Sequence, residues 1–176
     1  MTENVSQPGR GLVHFIHGKE SGPQGRKIVA LAQIAARKGW QVESLDYTGS
    51  FDPTVRLAQL LASCRANAVP LVLVGSSMGG WVAAEAAAHI DALGVFLLAP
   101  AFGVPGYPEL TRRKSEMPTE IVHGWADDVI PYPHSVAYAR VNDCTLHLIH
   151  GDHRLDGQIE VLGDLFERFL HRLPVR

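Results

Sequence analysis

Cysteine is nearly absent from this chain. Only Cys64 and Cys144 occur, far apart and without CxxC or Cys–His ligand spacing, which excludes a disulfide scaffold and a zinc finger. Long apolar runs are lacking too. The longest cover 69–74 and 94–103, well short of the ~18 residues a membrane span requires. Residues 1–11 contain Glu3, Asn4, Ser6, Gln7 and Pro8 and hold no apolar core for a secretory signal. Neither sign of charge dominates: 16 Lys and Arg face 18 Asp and Glu, leaving −2. Such a chain has no bulk field for nucleic acid or an anionic membrane. Its one basic cluster, Arg112, Arg113 and Lys114, reads as a solvated loop. What remains is ordinary, with 46% hydrophobic and 19% charged residues, and reads as globular rather than disordered. A length of 176 residues fits one domain whose core needs no metal or disulfide. The expectation is a single cytoplasmic domain over 1–176, with a flexible segment at 1–11 and no nucleic-acid or membrane partner.

Six short apolar runs, at 12–17, 41–45, 71–75, 95–99, 120–123 and 146–150, alternate with helical patterns. Most are near-continuous Val, Ile, Leu and Phe, as in strands buried on both faces. Helices are expected over 24–38, 53–67, 78–89, 133–140 and 157–172. In the last of these, Ile159, Leu162, Phe166, Phe169 and Leu170 fall on one stripe, which Leu173 extends just beyond the helix. This alternation predicts an α/β fold: a mostly parallel six-stranded sheet with helices on both faces. One stretch, 100–118, carries Gly103, Pro105, Gly106 and Pro108 without periodicity and reads as a loop, an irregular helix pair or a short rim insertion.

Ligands of open parallel sheets bind outside the carboxyl ends of the strands. The third strand ends there in Gly75-Ser76-Ser77-Met78-Gly79-Gly80 and runs into an Ala-rich helix. This is a G-x-S-x-G pattern in a strand–turn–helix context. A nucleophile there needs a strained turn that lifts its oxygen clear of the sheet. Gly75 and Gly79 lack the Cβ atoms that would clash, and Gly80 lets the helix pack close. The competing reading is a glycine-rich turn that holds a phosphate or merely connects.

Serine alone is a weak nucleophile and needs a base and an orienting acid. The fifth strand ends in His123-Gly124-Trp125-Ala126-Asp127-Asp128-Val129-Ile130-Pro131 and the sixth in His150-Gly151-Asp152-His153. Both follow Ser77 in the order serine, acid, histidine. At these motifs the chain resembles the α/β-hydrolase superfamily in its small, capless, esterase-like form, over nearly its whole length. The resemblance implies a single-domain α/β-hydrolase fold with no cap domain. It places the acid of an H-G-x-x-D-x-x-V/I-P loop at Asp127 and the histidine of the last turn at His153. Read from the residues alone, Asp128 remains a second candidate acid, and His150 a second histidine that a strand end would pack or hydrogen-bond.

The loop His17-Gly18-Lys19-Glu20 resembles the superfamily's oxyanion loop. By position its donor is the amide of Lys19, with Glu20 as runner-up, and the partner donor is the amide of Met78. The implied activity is that of a serine hydrolase, carboxylesterase- or thioesterase-like, acting on a small-molecule acyl substrate through a Ser77–His153–Asp127 triad. Phe102 and Tyr107 are candidates for one pocket wall, Trp125 and Tyr132 for another. No cofactor is expected. A metal site is not expected either, because the nine histidines form no HxxxH or HExxH pair. The alternative, from another class, is a noncatalytic protein of the same fold that uses the pocket to hold a ligand. Composition and pattern specify no oligomeric state.

Overall fold

Strand β1 (Leu12–Ile16) pairs in parallel with β2 (Gln41–Ser44) on one side and with β3 (Leu71–Ser76) on the other. Then β4 (Gly94–Leu98), β5 (Thr119–Gly124) and β6 (Thr145–Ile149) follow in parallel, giving the order β2-β1-β3-β4-β5-β6. These are features of a computed structural model that describes residues 10–66, 69–112 and 117–174. Of the expected flexible segment, residues 1–9 lie outside the described residues, as do Arg113 and Lys114 of the basic cluster.

Alternate strand residues feed two separate cores. Val13, Phe15, Val72, Val74 and Phe96 meet α1 (Arg26–Arg37) and α5 (Ile159–Arg172) on one face. Ile16, Leu71, Leu73, Val95 and Leu97 meet α2 (Pro53–Ala66), α3 (Met78–Ala86) and α4 (Tyr132–Asn142) on the other. The face follows from direction of travel. From β1 the chain steps outward to β2 through α1, then reverses and crosses to β3 through α2. With crossovers of one hand, a reversal puts the helix on the opposite face. That reversal leaves a crevice at the carboxyl ends of β1 and β3, where the loops after both strands meet.

The expected elements are present with small boundary shifts. Helix α3 stops at Ala86, α4 runs from Tyr132 to Asn142, and residues Asp156–Gln158 form a 3₁₀ turn ahead of α5. Within 100–118 the described residues form no helix, so the irregular-helix option falls away and a rim loop remains. Glu85 on α3 holds that loop by accepting hydrogen bonds from the Thr111 amide and hydroxyl, both at 2.8 Å. None of the described helices is long and apolar enough to cross a membrane.

On the α5 stripe Phe166 is fully buried and meets the rings of Phe15, Phe96 and Phe169. Phe166→Ala is expected to lower the unfolding free energy by about 3–5 kcal/mol. Val161→Ala, on the exposed side of the same helix, is expected to stay within about 0.5 kcal/mol. Urea unfolding of the two variants checks the difference.

Candidate active site

Ser77 joins β3 to α3 with φ 54 and ψ −120, a conformation that residues with side chains rarely adopt. Its backbone is held from every side. The Ser77 amide donates to the Leu98 carbonyl at 3.0 Å, and its carbonyl accepts from Gly80, Trp81 and Ala101 at 2.9, 3.2 and 2.9 Å. Glycine is required around it because main chain passes too close. A Cβ on Gly75 would lie 2.2 Å from the Gly79 carbonyl oxygen, and one on Gly79 would lie 2.1 Å from that of Ile16. Helix α3 can therefore begin directly against the end of β1.

Toward Ser77 comes His153, from the turn after β6. Asp152 shapes that turn by accepting the amides of Arg154 and Leu155, each at 3.0 Å. The His153 ring spans two partners, with Nε2 3.0 Å from Ser77 Oγ and Nδ1 2.8 Å from Asp127 Oδ2. An ionised carboxylate only accepts, so Nδ1 carries the proton and Nε2 presents a lone pair to the serine hydroxyl. His150, by contrast, is exposed at the end of β6 instead of packed.

Asp127 is the carboxylate that turns inward; its side chain is fully buried, while Asp128 is exposed. Oδ1 accepts the amides of Val129 and Ile130 at 2.9 and 2.7 Å, and Oδ2 accepts His153 and His123. Burial alone would raise the Asp127 pKa. The Ile130 amide, His153 and the Val129 amide outweigh it and hold the carboxyl below its ordinary value.

His123 is the residue that sequence reasoning left out, having been absorbed into an H-G turn. Its Nε2 lies 2.9 Å from both Asp127 Oδ2 and the Ile130 carbonyl, two acceptors, so Nε2 carries the proton. Nδ1 then accepts the Ser135 hydroxyl at 2.8 Å. Burial pushes the His123 pKa down against the opposing pull of the Ile130 carbonyl and Asp127, which keeps the ring neutral. Polar side chains thus run unbroken from Ser135 through His123, Asp127 and His153 to Ser77. A histidine at the end of a fully buried strand, four residues before an aspartate, was the available signal.

The loop after β1 lies against the serine, and a Cβ on Gly18 would be 3.4 Å from Ser77 Cβ. The two residues whose amides are expected as oxyanion donors line the same cleft, Met78 as the first residue of α3 and Lys19 in that loop. The cleft has a volume of about 1070 Å³, and Phe102 and Tyr107 line it. Trp125 and Tyr132 do not. The turn that folds Asp127 inward leaves Trp125 outside, 53% exposed, where its ring meets Tyr132 edge-on at 5.1 Å. Apolar wall comes instead from Ile28, Met78, Val104 and Ile130.

Asp127→Asn would turn amide N–H groups toward two ring N–H donors. It is expected to destabilise the fold by about 1–3 kcal/mol near neutral pH, whereas Asp128→Asn is expected to change it by less than about 0.5 kcal/mol. Because the folded Asp127 carboxyl lies below its unfolded value, its stabilisation is complete above about pH 4 and is lost as pH falls through the lower, folded value. Urea midpoints of the wild type and both variants, followed from neutral to acid pH, test this. Equal midpoints for the two variants would contradict the placement of the carboxylates.

A family model for the alpha/beta hydrolase family matches residues 5–173. Among solved structures, a protein from Xanthomonas campestris pv. campestris assigned as a hydrolase of the alpha/beta superfamily is 32% identical, with a TM-score of 0.87. That match covers 94% of this chain and 100% of the other. Est1E from Butyrivibrio proteoclasticus is 21% identical with a TM-score of 0.78, over 94% of this chain and 89% of its own. An alpha-beta serine hydrolase homologue from Coxiella burnetii is 20% identical with a TM-score of 0.77, over 90% and 85%. The last two likenesses show the fold alone. No curated protein sequence matches significantly. With a parallel sheet in this order, a serine at the strained turn after β3 and a family model spanning nearly its full length, the chain belongs to the alpha/beta hydrolase family.

Proposed function

We propose that the chain is a serine hydrolase that cleaves an ester or thioester of a small substrate through an acyl-enzyme. One observation carries the reading: the hydrogen bonds from Ser77 Oγ to His153 at 3.0 Å and from His153 to Asp127 at 2.8 Å. Ser77 Oγ attacks the acyl carbon while its proton passes to His153 Nε2. Asp127 holds the ring in the tautomer that can receive it and stabilises the imidazolium that forms. The carbonyl oxygen takes the electron pair as an anion, which the amides of Lys19 and Met78 stabilise. Collapse expels the alcohol or thiol, which takes the proton from His153. Water then repeats the sequence on the acyl-enzyme, releasing the acid and restoring Ser77.

The rim supports a preference for short acyl groups. Only the stretch after β4 stands where a larger lid would, and the edge of the cleft carries Lys19, Glu20, Arg26, Asp128 and Arg154. A methylene contributes about 0.8 kcal/mol only where apolar wall receives it, and beyond a few carbons a chain meets charge and water.

Ser77→Ala is expected to fold as the wild type does and to lose roughly 10⁶-fold in kcat, while Ser76→Ala retains turnover. Full activity in Ser77→Ala would overturn Ser77 as the nucleophile, and a wild-type protein inert toward esters and thioesters would return the chain to the binding-protein reading. Across a series of p-nitrophenyl esters the best turnover is expected from acetate to butyrate, with a steep fall toward palmitate. An optimum at long chains would show that the rim builds a tunnel.

A further inference from the structure

Arg56 is a fully buried cation that the reaction scheme does not use. It lies on the core stripe of α2 with Pro53, Leu60 and Cys64, where an apolar residue is the ordinary occupant. Among the described residues, none of its hydrogen bonds goes to a carboxylate. Nε donates to the Ser50 carbonyl at 2.7 Å, Nη1 to those of His17 and Gly18, both at 3.1 Å, and Nη2 to that of Lys19 at 3.3 Å. Three successive carbonyls of the loop after β1 thus converge on one guanidinium.

In a trans peptide the C=O and N–H point in opposite directions. With these carbonyls turned onto Arg56, the N–H groups of Gly18, Lys19 and Glu20 turn away from it. The Gly18–Lys19 peptide is held three times at its carbonyl, most weakly by the Ser21 hydroxyl at 3.5 Å. The Tyr47 amide donates to His17 Nε2 at 3.0 Å, which leaves the His17 proton on Nδ1, and Nδ1 donates to the Gly18 carbonyl at 2.8 Å. That same carbonyl receives Arg56 Nη1. Of the amides in this loop, the one most firmly oriented belongs to Lys19, next to the glycine on which a Cβ would lie 3.4 Å from Ser77 Cβ.

We propose that Arg56 is the positioning residue of the oxyanion site: by binding the carbonyl side of the Gly18–Lys19 peptide it aims the Lys19 N–H at the oxygen that becomes anionic. Its charge also polarises that peptide, which strengthens the N–H as a donor when negative charge develops. This inference rests on Ser77 being the nucleophile. A purely structural latch between α2 and the loop would affect stability and leave the transition state alone.

The test compares Arg56→Met, which keeps bulk and removes charge, with Arg56→Lys, which keeps charge but reaches fewer carbonyls. Each is assayed for short-ester kcat and KM and for inhibition by a short alkyl trifluoromethyl ketone and its methyl ketone counterpart. Ser77 Oγ adds to the trifluoromethyl ketone carbon, the proton passes to His153, and the ketone oxygen becomes the anion. Arg56→Met is expected to lose on the order of 10²-fold in kcat with KM little changed. Trifluoromethyl ketone affinity should fall by a similar factor and methyl ketone affinity should hold. Arg56→Lys is expected to show the same pattern at about tenfold, and it decides the matter if Arg56→Met does not fold. Full kcat in a folded variant, or losses confined to KM or to thermal stability, would overturn the role of Arg56 alone. A wild-type protein inert toward the esters and the trifluoromethyl ketone would overturn the Ser77 reading and this one with it.

Discussion

One backbone conformation organises the molecule: Ser77 at φ 54 and ψ −120. Holding a residue there costs on the order of 1–3 kcal/mol, and it persists only where surroundings over-determine it. Four main-chain hydrogen bonds on the single residue do so, drawn from β4, α3 and the segment after β4. The glycines at 75, 79 and 80 follow from the same constraint, because β1, α3 and Pro100 must all approach the turn at backbone distance. Sheet order completes it. Only a reversal between β2 and β3 puts the loop after β1 beside the serine.

Two buried ions flank this turn, and among the described residues Arg56 is hydrogen-bonded to no carboxylate and Asp127 to no lysine or arginine. Asp127 is solvated by two amides and two imidazole N–H groups, Arg56 by four carbonyls. Breaking a buried ion's partnership is expensive, so each is a rigid reference point for the group it holds. Asp127 orients the His153 ring and Arg56 the loop of the expected oxyanion donor. Neutral His123, backed by Ser135, secures the carboxylate without adding a charge that would compete with His153.

Much of this was legible in the chain. Doubly buried strands appear as unbroken apolar runs, the α5 stripe as periodicity, and the elbow as a glycine pattern set between a strand and a helix. Chain order made Asp127 and His153 candidates and the resemblance singled them out, while the residues alone left Asp128 and His150 open beside them. The inward turn of one carboxylate depends on amides at 129 and 130, which sequence does not orient. His123 and Arg56 escaped for a related reason. A polar residue on a buried face is visible as an anomaly, but its partners come from distant segments: Ser135 for the first, residues 17–19 for the second. Trp125 and Tyr132 were misplaced because proximity in sequence to Asp127 does not survive a turn that sends neighbours to opposite sides.

The central claim is that His153 and Asp127 make Ser77 nucleophilic. Reaction with a fluorophosphonate followed by intact-mass and peptide analysis tests it most directly. The expected result is a single phosphonyl adduct on Ser77, abolished in His153→Ala. Absence of an adduct on the folded protein, or one on Ser76 or elsewhere, would contradict it.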